Sequence, residues 1–288
     1  MVQGVGMRTI VLTVVLAACG TETRCPEGQL WEDGCVDAVT ADPEPAADAW
    51  SPPPGTTWQW QLTGALDTSV DVQMFDLDLV DAPQADIDAL HARGIKVICY
   101  FSAGSYEDWR PDADQFSAEA RGAPLKGWPG EWWIDVMNTD VRSVLAARLD
   151  HAVARGCDGV EPDNVDGYAN RNGLGLTATE QLDFNRFLAD EAHRRGLSVG
   201  LKNDLDQLDD LVDWFDWALN EECAAYDECD RLAVFTEDAG RAVFHAEYVD
   251  RFAQAEAKAA EVCGVGPQLS TLVKTWDLGP ERLDCAAR

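Results

Sequence analysis

The feature that most constrains this chain is a series of eight strand-like segments separated by helix-like ones. The strand-like stretches lie at 58–62, 71–77, 96–101, 158–163, 197–203, 215–221, 242–248 and 269–274. Between most of them the apolar residues recur with a helical period. Asp81–Arg93 runs to Gly94, Asp140–Arg155 to Gly156 and Thr177–Arg195 to Gly196, each glycine standing where a helix C-terminus favours one. Thr177 and Glu180 have the spacing of a capping box. Further helical patterns cover Asp204–Trp214, Asp227–Ala239 and Tyr248–Cys263. Eight strands alternating with helices over ~230 residues is the scale of an α/β fold of the (β/α)8 TIM-barrel type. An open doubly wound sheet is the alternative, but no Gly-rich phosphate turn supports it. The first connection, Thr63–Val70, is too short for a helix. Segment 102–138 carries Trp109, Trp128, Trp132 and Trp133 and reads as a long functional loop after the third strand.

The first 56 residues read differently. Arg8 precedes the apolar run Thr9–Ala18, a secretory signal in form and too short to span a bilayer. Leu16-Ala17-Ala18-Cys19 resembles the lipobox of bacterial lipoproteins. That resemblance implies a signal peptide over 1–18, with Cys19 as the lipidated first residue of an exported protein at the outer membrane or cell surface. Residues 38–55 are rich in Pro, Ala and Asp, a semi-rigid spacer within a 19–56 linker. The single catalytic domain is expected over 57–288. Nine cysteines less Cys19 leave eight, an even number for an oxidising compartment. Cys25–Cys35, Cys223–Cys229 and Cys263–Cys285 are plausible bridges. Cys99 and Cys157 are read either as buried thiols or as a fourth bridge.

Barrel chemistry sits at the C-terminal ends of strands, and acidic and amide side chains collect there. The second strand ends in Asp76 and Asp78, and the third in Tyr100 and Ser102. The fourth ends in Glu161-Pro162-Asp163-Asn164 followed by Asp166, the fifth in Lys202-Asn203, the sixth in Asn220-Glu221-Glu222, and the seventh in His245-Ala246-Glu247-Tyr248. Strand alternation puts Glu161 and Asp163 on one face. Buried carboxylates are costly unless water, a ligand or Lys202 compensates them, so the cluster is either a reaction centre or an ion-pair network around that lysine. Two carboxylates flanking a bond are what glycoside hydrolysis needs, one to protonate the leaving oxygen and one to attack or to activate water.

Other classes find less support. The formal charge of -30, from 22 Lys+Arg against 52 Asp+Glu, disfavours nucleic acid and suits a cationic ligand. His91, His151, His193 and His245 are scattered without zinc spacing, and no calcium-loop spacing, GxSxG elbow or P-loop occurs. No cofactor or metal is called for, and a monomer is expected. Eleven tryptophans are many, and Trp58, Trp60, Trp109, Trp132 and Trp133 could stack on sugar rings or pack the barrel.

The segments CYFSAGSYEDWRPDADQF, GWPGEWWIDV, DGVEPDNVDGY, SVGLKND, ALNEEC, YDECD and VFHAEY resemble the endo-α-1,4-polygalactosaminidases of glycoside hydrolase family 114. The resemblance runs from about Trp58 to Leu278 and implies a (β/α)8 barrel that cleaves α-1,4-linked galactosamine polymers internally, with retention. It implies Asp163 as nucleophile and Glu221 as general acid/base. Here the sixth strand reads Asn-Glu-Glu-Cys where the family usually has Asn-Glu-Gln-Cys, so Glu222 is a competitor for the acid role, as is Glu247. The resemblance further implies sugar subsites lined by Asp76, Tyr100, Glu161, Asn164, Asp166, Lys202, Asn203, Glu247 and Tyr248, although Glu161 and Asp166 fit equally well behind that lining as supports. Trp58 is a candidate ring platform among the tryptophans. A cleft of spare carboxylates would suit the ammonium groups of a deacetylated polymer. A non-catalytic binder of a cationic glycan, or a glycosidase with another sugar, would share most of these features.

Overall fold

The computed structural model describes residues 29–31, 35–37, 49–266 and 268–287. The signal, Cys19, the Cys25–Cys35 pairing and most of the linker lie outside them. No helix among the described residues is long and apolar enough to cross a membrane.

All eight expected strands form: β1 Trp58–Gln61, β2 Met74–Asp78, β3 Lys96–Ser102, β4 Gly159–Asp163, β5 Ser198–Lys202, β6 Trp217–Glu221, β7 Val243–Val249 and β8 Leu269–Thr275. They pair in parallel in sequential order, and a short ninth strand, Leu283–Asp284, returns antiparallel on β8. The unbroken order excludes the doubly wound alternative, whose order reverses at a switch point. The result is a mixed α/β fold in which the sheet curls into a TIM-like half-barrel. Side chains and loop backbone reach between its edges. Trp58 Nε1 donates to the Ser270 carbonyl at 2.9 Å, Lys274 Nζ to Gln59 Oε1 at 3.4 Å, and Leu62 N to the Leu278 carbonyl at 3.0 Å.

The helical layer is less regular than the six helical patterns in the sequence suggest. α1 Gln84–Ala92 starts only after Pro83, which takes the extended conformation of an N-cap. α2 Thr139–Arg155 is capped by the Asn138 side chain and ends at Gly156 with φ 80°. α3 Ala178–Arg194 carries the Thr177/Glu180 capping box in full. The pattern over 204–214 becomes one turn, α4 Leu208–Leu211. Over 227–239 a 3-10 turn and a π turn replace a helix, starting beside the Cys223–Cys229 bridge. α5 Ala255–Val262 begins later than the sequence pattern because β7 continues to Val249.

Inside the curl, alternate residues of each strand form two layers. The lower one is an apolar plug of Trp58, Met74, Ile98, Trp217, Leu219, Phe244 and Leu272. Its aromatics meet at 5.0 Å between Trp58 and Phe244 and 5.4 Å between Trp217 and Phe244. Gly200 admits Trp217, since a Cβ there would lie 2.3 Å from the indole. The upper layer is polar and forms the site described below. Outward residues pack under the helices in a second core that includes Phe75, Leu77, Leu145, Phe184 and Leu188.

Segment 102–138 is not a loop. Ser105–Glu107, Arg121–Pro124 and Glu131–Ile134 form a three-stranded antiparallel sheet with the last strand central. Arg110 fastens it to β2 through a bidentate pair with Asp78 at 2.8 and 2.9 Å and a bond to Glu107 at 2.8 Å. Gly104 lets it approach the turn after β4, where a Cβ would sit 1.7 Å from the Asn164 carbonyl oxygen. Cys99–Cys157 joins β3 to the turn before β4, resolving those two residues as a bridge. Cys223–Cys229 and Cys263–Cys285 form as expected.

Candidate active site

The upper layer centres on one ammonium. Lys202, at the end of β5 and 2% exposed, has Nζ 2.9 Å from Glu161 Oε1, 3.0 Å from Asp163 Oδ1 and 3.5 Å from Glu221 Oε2. Burial opposes its charge, but Asp163, Glu161 and Glu221 outweigh that and hold it well above the usual lysine range. Trp60 Nε1 donates to the other oxygen of Glu161 at 3.1 Å, and the Trp60 ring lies 4.8 Å from Nζ.

Beneath this lies Asp76, fully buried, with no donor in reach of either oxygen among the described residues. Burial and then the Glu161 charge push its carboxyl well above the usual range, so it keeps its proton and shares it with Glu161. Burial also lifts Glu161, to about 7, against the pull of Lys202. Asp76 and Glu161 are both sealed, and neither lines the cleft. Their expected place as sugar contacts is corrected to a layer that supports Lys202.

Asp163 and Glu221 do reach the cleft. Asp163 accepts from Tyr100 Oη at 3.1 Å and from the Asn164 backbone N–H at 2.8 Å, besides Lys202. Glu221 accepts from Asn203 Nδ2 at 3.0 Å and from Tyr248 Oη, while its own N–H donates to Asn203 Oδ1 at 2.9 Å. Burial, reinforced by the nearby carboxylates, lifts both phenols well above their usual range, so they remain donors. The turns after β4, β5 and β6 each hold a non-glycine residue in the left-handed region, Asn164 at φ 61°, Asn203 at 50° and Glu222 at 58°. Such positions cost on the order of 1–3 kcal/mol each and tend to gather where side chains must be aimed.

The cleft above has a volume of about 710 Å3. Trp60, Tyr100, Asp163, Asn164, Asp166, Lys202, Asn203, Glu221 and Tyr248 line its floor. The inserted sheet supplies one wall, with Trp109, Trp128, Glu131 and Trp133. Trp276 stacks on Tyr248 at 4.2 Å and supplies another.

Two further expectations, Trp58 and Glu247, are corrected, and the open reading of Trp132 falls to packing. Trp58 is 1% exposed in the apolar plug and is no platform. Trp132 packs against Tyr106 at 5.8 Å rather than on the cleft. Glu247 faces the helices, because alternation on β7 sends Tyr248 inward and its neighbour outward. There it accepts from the Ala224 and Ala225 N–H groups at 2.9 and 3.2 Å, contacts His245 at 3.2 Å and pairs with Lys258 Nζ at 2.7 Å. Burial opposes its charge, yet His245 and Lys258 bring it down to about 2, the state of a fixed anion rather than an acid. Glu222 is raised by burial and then by Glu247 and Glu221, and it does not line the cleft.

No sequence pattern singles out Trp276 or Glu131, and Trp128 stands out only as a tryptophan of segment 102–138. Trp276 sits just past β8, so extending the strand-end rule to the last strand finds it. Glu131 lies in the insertion, where no strand-end signal exists. His245 lies 3.3 Å from Cys223 Sγ, but Cys223 and Cys229 are bridged to each other and cannot serve as thiolate ligands.

The sequence model of glycoside-hydrolase family GH114 matches residues 39–287. The chain belongs to glycoside-hydrolase family GH114. As a GH114 member it is a glycosidase, and the carboxylates at the ends of β4 and β6 are its candidate machinery. Its fold is similar to that of Aspergillus fumigatus Ega3, solved in complex with galactosamine, with TM-score 0.80 and 44% identity over 85% of this chain and 100% of that one. The glycoside hydrolase domain of PelA from Pseudomonas aeruginosa shares the fold, with TM-score 0.62 and 18% identity over 80% of this chain and 98% of that one. An uncharacterised protein of Deinococcus radiodurans is 32% identical over 128 residues, 38% of this chain and 41% of that protein.

Proposed function

We propose that this protein is an endo-acting hydrolase of α-1,4-linked, galactosamine-containing exopolysaccharide, working with retention. Asp163 attacks the anomeric carbon while Glu221 gives its proton to the departing glycosidic oxygen. Glu221 then takes a proton from the water that displaces Asp163. The observation that carries this reading is the shared ammonium of Lys202. Its distances to Asp163 and Glu221, 3.0 and 3.5 Å, sum to about 6.5 Å, the widest those two oxygens can stand apart. That bound applies to the nearest pair of oxygens; retaining enzymes hold their carboxyl groups ~5–5.5 Å apart and inverting ones ~6.5–9.5 Å. Tyr100 would hold Asp163 for attack, and Tyr248 with Asn203 would aim Glu221.

The galactosamine held by Ega3, together with this chain's charge of -30, supports an amino-sugar substrate. The three disulfides among the described residues support export, in keeping with a lipid anchor at Cys19, a tether over 19–56 and a monomeric closed (β/α)8 domain over 57–288. The test is release of reducing ends from a deacetylated α-1,4-galactosamine polymer. Asp163→Asn and Glu221→Gln should each lose at least roughly a thousandfold in kcat while remaining folded. Near-normal turnover by either variant would overturn the assignment. Binding by wild type without new reducing ends would leave a cationic-glycan binder.

A further inference from the structure

The cleft carboxylates differ in whether a cation of the protein already occupies them. Asp78 and Glu107 are taken by Arg110, and Asp163 and Glu221 by Lys202. Glu131 lines the cleft, is 8% exposed, and has no lysine, arginine or histidine within ion-pair distance among the described residues. One of its oxygens accepts from Ser105 Oγ at 2.8 Å. Ser105 Oγ meets Ser102 Oγ at 2.6 Å, and Ser102 Oγ accepts from Asn164 Nδ2 at 2.9 Å. This chain of bonds ties Glu131 to the turn that carries Asp163.

The surroundings of Glu131 also point to a sugar. Trp109 and Trp128 line the same cleft and are 51% and 53% exposed, whereas Trp58, Trp60 and Trp217 are buried in the barrel. The Glu131 N–H donates to the Trp128 carbonyl at 3.2 Å, and Trp109 lies against Gly130, where a Cβ would come within 2.9 Å of the indole. Exposed indole faces beside an unspent carboxylate offer an apolar face and a counter-charge together, the two things an aminated hexose ring presents.

We propose that Glu131, flanked by Trp109 and Trp128, forms a subsite on the inserted sheet that takes the ammonium group of an unacetylated hexosamine and sets the preference for deacetylated chains. The inference rests on the hydrolase reading above and adds the residue that distinguishes the free amine from the acetamide. An acetamide has no positive charge for Glu131, whereas an ammonium forms a charge-assisted hydrogen bond with this largely buried carboxylate.

A pH signature follows. Burial, then the neighbouring Glu107 and Asp163, push Glu131 to about 7, with Ser105 and the engaged Arg110 pulling the other way. Tyr100, also facing it, stays protonated. Below that pH Glu131 holds a proton and cannot pair with an ammonium. For the deacetylated polymer, KM should therefore rise as pH falls from about 7 to 5, a direction in which the sugar amine gains protons and so cannot itself cause the loss.

The experiment compares wild type, Glu131→Gln and Trp128→Ala on fully deacetylated and fully N-acetylated α-1,4-galactosamine polymers, at several pH values. Glu131→Gln should raise KM for the deacetylated polymer roughly tenfold at pH 7, leave kcat within about twofold, and abolish the acid rise in KM. Its effect on the acetylated polymer should be several-fold smaller, and a thermal melt reports separately that the variant is folded. Trp128→Ala, at an exposed position, should weaken both polymers alike. An equal effect of Glu131→Gln on both polymers, or none on either, would overturn the subsite. Wild type inert on both polymers would refute the hydrolase reading itself, and the subsite with it.

Discussion

Lys202 is the cation shared by Glu161, Asp163 and Glu221, and Lys202→Met removes it with little change in volume. The ammonium touches three carboxylates within 3.5 Å and is 2% exposed, so water cannot replace it. Removing one partner of a buried charge pair costs about 3–5 kcal/mol, because the other charge is left without compensation. For a domain of this size that corresponds to a fall in Tm of roughly 6–20 °C. The deficit has a sign in pH. Burial holds Glu161 at about 7 even with the ammonium present, and without it the folded-state value rises further. A carboxyl raised in the folded state contributes stability fully below its unfolded value, and that contribution is lost as pH rises through the folded value. The variant should therefore be much less stable than wild type at pH 8 and approach it near pH 5. Calorimetry at the two pH values measures this directly. Turnover should fall at least about a hundredfold at pH 7, since both reacting carboxylates lose their common counter-charge. An unchanged Tm at pH 8, or a deficit independent of pH, would refute the view that Lys202 balances the cluster.

Asp76→Asn should keep both fold and activity, since Asn is neutral and can still donate to Glu161, whereas Asp76→Ala should lose about 2 kcal/mol in denaturant melts and turn over more slowly. Glu247→Gln should lower stability by about 1–3 kcal/mol through the broken Lys258 and His245 contacts, yet keep kcat within a few-fold in the reducing-end assay. Lys274, fully buried between β8 and β1 and lowered by burial to about 7, should make Lys274→Met the more stable protein below pH 7, by on the order of 3–5 kcal/mol. Folded protein lacks a proton there that the unfolded chain binds between about 7 and 10.5, so thermal melts should show that advantage shrinking as pH rises through this window.

Much of this molecule is legible in its residues because strand period, glycine C-caps and the Thr177 capping box are local signals. They place all eight strands and the three longest helices. The helices around 208 and 234 are misread because a local pattern cannot register that Cys223 and Cys229 close a six-residue loop, or that little chain separates β5 from β6. The inserted sheet is missed for a similar reason, since its strands of three and four residues are too short to show a period. At the site, strand-end position brings Tyr100, Asp163, Asn203, Glu221 and Tyr248 together correctly. It cannot tell which polar residues stay beneath the surface, as Asp76 and Glu161 do. It also takes Glu247 for a cleft residue, where alternation from Tyr248 turns it to the helices. Glu131 lies in the insertion and Trp276 beyond the last strand, where no local pattern marks them.

The central claim, a displacement at Asp163 assisted by Glu221, is tested most directly by the configuration of the first product. Proton NMR of an α-1,4-galactosamine oligomer digested in deuterated buffer resolves the new anomer before it mutarotates. The geometry predicts the α-anomer first, with no product from Asp163→Asn. Initial appearance of the β-anomer would mean that water rather than Asp163 attacks, and undiminished product from Asp163→Asn would move the reaction away from these carboxylates altogether.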